Sequence, residues 1–158
     1  MITIAACGKV KEKWMRDGIE EYAKRIRAYD KLTILEVQDE KTPDGNSDAL
    51  NEMIKKKEGE RLLKQIRPDD YMVLLDLKGK EFTSEGFAAQ IEKIHTFSSS
   101  RITFVIGGSL GVSDEVIRRA DLRWKLSDCT FPHQLCRLIV LEQIYRAYRI
   151  MNHEPYHK

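Results

Sequence analysis

Five short apolar stretches punctuate the chain, at Ile2–Cys7, Leu32–Val37, Tyr71–Leu75, Ile102–Ile106 and Leu122–Leu126. Each is too short for a helix and is bounded by polar or turn-forming residues, so each predicts a buried strand. Longer amphipathic stretches lie between them, at Lys13–Ala28, Asp48–Ile66, Ser84–Thr96 and Asp114–Ala120, and a last one runs from His133 to Met151. These predict helices, with Ser47 or Asp48 and Ser113 or Asp114 available as caps. Thr42-Pro43-Asp44-Gly45-Asn46, Arg67-Pro68-Asp69-Asp70 and Lys78-Gly79-Lys80 mark breaks, and the polar loop Gln38–Ser47 is expected to be the most mobile segment. Strands alternating with helices predict an α/β fold, a mostly parallel sheet flanked by helices, in one domain over residues 1–158.

The last stretch differs from the others. Leu135, Cys136, Leu138, Ile139, Val140, Leu141, Ile144, Tyr145, Ala147, Tyr148, Ile150 and Met151 cover most of its circumference. Such a helix is buried on two sides. One side is the core; the other is either more of the same domain or a partner subunit, and a homodimer is the expectation.

Composition narrows the class. Hydrophobic residues make up 42% and charged ones 33%, as in a water-soluble globular domain. No apolar run approaches the ~18 residues of a membrane span, and the apolar start reads as a strand rather than a leader. Cys7, Cys129 and Cys136 are odd in number and form no Cys-x-x-Cys pair, which favours a reducing cytoplasm. Net charge is +2, carried as +3 on residues 101–158 against −1 on residues 1–100, a weak tilt toward an anionic partner. His95, His133, His153 and His157 show no metal-ligand spacing, so no metal is expected.

Two loops carry candidate chemistry. Gly107-Gly108-Ser109-Leu110-Gly111 follows one apolar segment, and Ser127-Asp128-Cys129-Thr130-Phe131-Pro132-His133 follows another and opens the last helix. Two such loops after two strands imply one pocket at the carboxyl edge of a parallel sheet. The glycine run is neither a P-loop nor a Gly-x-Gly-x-x-Gly dinucleotide turn. It is either a strand-to-helix turn or a place of close ligand approach. Leu75 is either core or a wall against a flat apolar ligand, while Asp76 and Lys80 read as solvated turn residues. Arg137 lies one turn after His133 on the same helix face, and Glu142 precedes Arg146 with the spacing of an intrahelical ion pair. The tail Asn152–Lys158 gathers Tyr156, two histidines and Lys158, a set suited to stacking on a base and contacting phosphate.

In order and spacing, several segments together resemble a known family. They are Cys7-Gly8-Lys9, Lys57-Glu58-Gly59-Glu60, Leu75-Asp76 before Gly79-Lys80, Phe104–Ser109, Leu126-Ser127 with Thr130–His133, Arg137, Glu142–Ala147 and Pro155–Lys158. The chain resembles, over its whole length, the RlmH-type pseudouridine methyltransferases of ribosomal RNA in the SPOUT superfamily. The resemblance implies a C-terminal trefoil knot, a rare exception to unknotted topology. It implies a homodimer and S-adenosyl-L-methionine held by Leu75, Gly107, Gly108, Ser127, Asp128, Cys129, Thr130, Phe131 and Pro132. It further implies N3-methylation of a pseudouridine in large-subunit ribosomal RNA of assembled ribosomes. His133, Arg137, Tyr156 and His157 would then handle the proton or place the base, with Arg146 and Lys158 on the substrate. Leu110 departs from the family, where a polar residue is usual. The alternatives are an inactive SPOUT-fold RNA-binding or assembly protein, and a methyltransferase of another RNA.

Overall fold

The computed structural model describes residues 1–158 as alternating strands and helices: β1 (Ile2–Cys7), α1 (Lys13–Arg27), β2 (Leu32–Val37), α2 (Asp48–Leu63), β3 (Tyr71–Lys80), α3 (Ser84–Phe97), β4 (Ile102–Ile106), α4 (Asp114–Arg119), β5 (Leu122–Trp124) and α5 (His133–Met151). Every predicted strand and helix forms where its apolar pattern placed it. Ser47 caps α2 by accepting from the Leu50 N–H, and Thr83 caps α3 through Gly86.

The five strands are parallel, in the order β2-β1-β4-β3-β5. Alternate residues serve opposite faces. Ile2, Ile4, Ala6, Val73, Phe104 and Ile106 pack against α1, α3 and α5. Ala5, Cys7, Met72, Leu74 and Val105 pack against α2 and α4. The central strands β1 and β4 are buried along their whole length, as parallel strands covered on both faces must be.

The connections explain where the crevice falls. The steps β1→β2 and β3→β4 move one way along the sheet and use α1 and α3 on one face. The steps β2→β3 and β4→β5 move the other way and use α2 and α4 on the opposite face. That alternation keeps every crossover of one hand. Neighbouring strands β3 and β4 therefore send the chain to opposite faces, and a gap opens above their carboxyl ends.

The end of β3 corrects two expectations. Lys78-Gly79-Lys80 is not a break: β3 continues to Lys80, with a register shift against β5 between Leu75 and Lys80. Gly79 is what permits this, because a Cβ there would lie 2.5 Å from the carbonyl carbon and oxygen of Arg123. Asp76 is not a solvated turn residue either. Its carboxylate is 13% exposed and pairs with Arg123 at 2.6 Å, since the irregular strand end turns it inward against β5. Lys80 is exposed, but within the strand. At the other end of the pairing, β5 stops at Trp124 rather than Leu126, so Lys125 and Leu126 already belong to the following loop.

Helix α5 belongs to no crossover. It packs against α1 and α3, burying Val140, Leu141, Ile144, Ala147 and Tyr148, while Leu135, Leu138, Tyr145 and Ile150 stay half-buried. It ends in a Schellman turn. The His153 N–H donates to Ile150 O at 3.0 Å, and the Glu154 N–H to Arg149 O at 2.9 Å. His153 there has φ of 55°, a left-handed conformation that costs a residue with a Cβ about 1 kcal/mol.

Two stability measurements check this fold. Gly79→Ala should lower the urea midpoint by about 1–3 kcal/mol of stability, because the added methyl meets the β5 backbone, which cannot turn aside. His153→Gly should raise it by about 0.5–1 kcal/mol through relief of the left-handed strain.

Candidate active site

The gap above β3 and β4 is a cavity of about 920 Å³. Three loops wall it: Leu75–Lys78 at the irregular end of β3, Gly107–Val112 after β4, and Arg123–His133 after β5. Leu75, Ile106, Val112, Ile117, Trp124, Leu126, Phe131 and Cys136 make most of the wall apolar, which suits a flat ring system.

The loops are rich in main-chain groups with no protein partner. Between Ser127 and Phe131 only the Cys129 N–H is engaged, by Ser127 Oγ at 3.0 Å. In the other loop Gly108 and Gly111 form an antiparallel bridge, with Gly111 N–H donating to Gly108 O at 3.1 Å, and the N–H groups of Ser109 and Leu110 stay free. Such groups are obligatory donors, and a ligand with ring nitrogens and hydroxyls can satisfy them. Glycine is required at position 108 for contact on the other side, since a Cβ would lie 2.8 Å from Glu58 Oε1. At Gly107 a Cβ would meet Val112 at 2.5 Å. These positions keep the loop folded tightly against α2 and against itself.

The structure sorts the candidate residues into three places. Leu75, Gly107, Gly108, Ser127, Cys129, Thr130, Phe131, Pro132 and His133 all line the cavity, and so does the departing Leu110. Asp128 does not: its carboxylate is 89% exposed and held by Lys125. Arg137 lies beneath the cavity floor, 2% exposed, donating to Glu36 Oε2 at 2.5 Å and to Gly8 O at 3.1 Å. That guanidinium is committed to clamping α5 onto the ends of β1 and β2 and is not free for phosphate. Tyr156 and His157 instead fold back beside Glu142 and Arg146, in the second half of α5 and roughly 14–20 Å along the helix from His133.

The tail is ordered by that half of the helix. Tyr156 O–H donates to Glu142 Oε1 at 3.1 Å, its ring meets Tyr145 edge-on at 4.8 Å, and the Arg146 guanidinium sits 4.7 Å from its centre. Burial, then the Tyr22 hydroxyl and the Glu142 carboxylate, push the Tyr156 phenol well above its ordinary value, so it is a donor and a stacking ring rather than a base. Arg146 pairs with Glu142 at 2.5 Å, as its spacing predicted. His157 bridges Arg146 Nη1 at 3.2 Å and Glu85 Oε1 at 2.6 Å.

His133 is half-buried at the start of α5. Burial first, then the Arg137 charge, hold its imidazole below the ordinary 6.5, against an opposing pull from Asp39 and Glu58. It is therefore neutral at pH 7 and can accept or donate a hydrogen bond.

Sequence reasoning missed the layer behind the glycine loop, formed by Cys7, Asp39 and Glu58. A signal was present: Ile54, Glu58 and Leu62 follow one another at four-residue spacing on α2, and all three are buried. An acid in the middle of an apolar stripe marks a buried carboxylate. No three His, Cys, Asp or Glu side chains are grouped to hold a metal ion, and no helix is long and apolar enough to cross a membrane.

A parallel α/β sheet with a ligand-sized cleft at the carboxyl ends of its strands, walled by main-chain-rich loops, belongs to the class of open α/β domains that bind small ligands there. The chain belongs to the SPOUT methyltransferase family, whose description, "Predicted SPOUT methyltransferase", matches residues 1–157. It is 54% identical to "Ribosomal RNA large subunit methyltransferase H" of Desulfitobacterium hafniense over 99% of this chain and 98% of that one. It is 52% identical to the protein of the same name from an Exiguobacterium species, over 99% of both chains. Among solved structures it is similar to a probable methylase family protein from Haemophilus influenzae, with TM-score 0.53 and 14% identity over 99% of this chain and 70% of that one, a likeness of fold.

Two consequences are measurable. Arg137→Met should cost about 2–3 kcal/mol in a urea titration, because Glu36 and the buried Gly8 carbonyl lose their donor. The depressed His133 pKa means that the unfolded chain binds a proton near pH 6.5, where the folded one does not. Stability is then lost as pH falls below 6.5, and the loss levels off below the folded pKa. His95 shifts the same way, so His133→Gln should remove part of that dependence. A wild-type imidazole titrating at or above 6.5 by NMR would contradict the assignment.

Proposed function

We propose that this chain is a homodimeric, cytoplasmic methyltransferase that transfers a methyl group from S-adenosyl-L-methionine to N3 of a pseudouridine in large-subunit ribosomal RNA. The observation that carries the reading is the cleft above β3 and β4, walled by free main-chain donors, in a SPOUT-family chain 54% identical to a relative named for ribosomal RNA methylation. The choice of pseudouridine N3 rests on the resemblance of the whole motif set. Free thiols at Cys7, Cys129 and Cys136 suit a reducing compartment. In this reading the segment from β5 through α5 forms the trefoil knot, with Ser127–Pro132 as the strand of the knot that faces the cofactor.

The residues fit that donor. The free N–H groups of Ser127, Asp128, Thr130 and Phe131 would serve the acceptors of an adenine edge, and the apolar side chains of Leu75, Leu126 and Phe131 would hold the ring. Gly107 and Gly108 keep the second loop folded so that its main chain would border the remainder. When bound, S-adenosyl-L-methionine supplies a methyl activated by the sulfonium, so the protein has only to align the nucleophile and let the imide proton leave. Neutral His133 at the cavity rim places or receives that proton by hydrogen bond. Tyr156 offers a neutral ring for stacking, and Arg146, His157 and exposed Lys158 offer positive charge or donors for the RNA.

In this reading the tail acts on a second subunit. Within one chain Tyr156 and His157 pack beside Glu142, Arg146 and Glu85 and line no part of the cavity. In a twofold dimer the tail of one protomer reaches the cavity of the other, and the half-buried outer face of α5 becomes the seam.

Calorimetry with S-adenosyl-L-methionine should show binding by the wild type and none by Gly108→Arg, which thrusts a side chain against Glu58. No binding by the wild type would end the enzyme reading in favour of an inactive RNA-binding protein. Mixing Gly108→Arg chains with chains doubly substituted Tyr156→Ala and His157→Ala should restore roughly a quarter of wild-type methylation, because half the dimers then hold one complete site. If each variant is inactive alone and the mixture stays inactive, shared sites are wrong.

A further inference from the structure

We propose that Glu58 is a fixed negative charge behind the cavity wall that makes the site prefer the cationic sulfonium donor over its neutral thioether product. The inference rests on the methyltransferase reading above and concerns a residue that the cavity does not expose.

Glu58 is 4% exposed, at the centre of the buried stripe of α2. Its Oε2 accepts the Glu40 N–H at 2.9 Å. Its Oε1 lies where a Cβ on Gly108 would come within 2.8 Å, so only the main chain of Gly108 separates the carboxylate from the cavity. The Cys7 thiol beside it is pushed up to about 12 by burial and by the Glu58 charge, and so stays a neutral donor.

No cation neutralises this carboxylate. The nearby guanidinium of Arg61 is taken by Glu40 at 2.6 Å and Gln38 O at 2.8 Å, and that of Arg137 by Glu36 at 2.5 Å. Within the cavity wall Arg123 is matched by Asp76 at 2.6 Å, and Lys78 is exposed to solvent. A carboxylate withdrawn from water without a cation is costly, and a positive ligand held nearby recovers part of that cost.

The chemistry of the transfer gives this charge a use. The imide nitrogen, on losing its proton, attacks the methyl carbon; the carbon–sulfur bond breaks and its electron pair stays on sulfur. Sulfonium becomes thioether, and the positive charge leaves the cofactor with the methyl group. The two cofactor forms otherwise share every polar group. A fixed carboxylate attracts the sulfonium, a charge that the product lacks, and so favours the donor over the product.

The test is a pair of affinities. In the wild type, S-adenosyl-L-methionine should bind at least roughly tenfold more tightly than S-adenosylhomocysteine by calorimetry. Glu58→Gln keeps the acceptor for the Glu40 N–H and removes the charge. It should weaken donor binding about tenfold and leave product binding within about twofold, so that KM rises while kcat does not fall. Glu60→Gln, which neutralises an exposed acid of the same helix, should leave the ratio unchanged. Equal loss of both affinities would mean that Glu58 only shapes the loop, and would overturn the inference. Equal or reversed affinities in the wild type would overturn it without any variant. A wild type that binds neither ligand would instead overturn the methyltransferase reading.

Discussion

Two neighbouring parallel strands whose chain leaves toward opposite faces leave open the space above their ends, and at β3 and β4 the surrounding loops shape that space into the cavity. Strand β3 exits toward α3 on one face and β4 toward α4 on the other. The open crevice is then narrowed only by loops. One of them, the excursion at Asp76–Lys78, exists because β3 shifts register against β5. Another, Leu126–Pro132, exists because β5 ends early and α5 starts late. A cavity built this way has main-chain groups for walls, which suits recognition of a nucleoside-like ligand by hydrogen bonds that need no particular side chain.

Beneath that cavity the support is ionic rather than apolar. Arg137 ties α5 to Gly8 and Glu36, and Glu58 ties α2 to the loop that begins at Glu40. Buried charges are poor contributors to net stability, but they hold geometry, since a guanidinium fork accepts few arrangements. Of the elements joined by these contacts, α5 follows one cavity loop and α2 backs another at Gly108. The opposite edge of the sheet shows the same device in a structural setting, where buried Asp70 gathers Arg101, Thr103 and the Arg67 N–H.

The two halves of α5 divide the labour. Its start faces the cavity with His133 and Cys136, and its second half holds an aromatic and ionic cluster of Tyr22, Tyr145, Tyr156, Arg146 and His157. A rigid helix keeps these two sets apart within one chain. The chemistry assigned to both in the proposed function is therefore a reason for a second chain to be present, independent of the apolar surplus on the helix.

Local patterns were enough for much of this. Apolar runs of five or six residues and helical periodicity placed all the strands and helices, because a buried parallel sheet demands such runs whatever its order. The loops after β4 and β5 announced the cavity through composition, since free main-chain donors need glycine or an interrupted backbone. What the sequence left open was decided by contacts between distant residues. Asp76 read as a turn acid until Arg123, from another strand, came to within 2.6 Å. Arg137 looked available beside His133, but its partners Glu36 and Gly8 arrive from β2 and the end of β1, more than a hundred residues earlier. Strand order, the burial of Glu58 behind Gly108 and the distance from tail to cavity belong to the same class. Hydrophobic period acts along the chain and is written in it; charge pairing and crossing direction act across the fold, and only the assembled structure settles them.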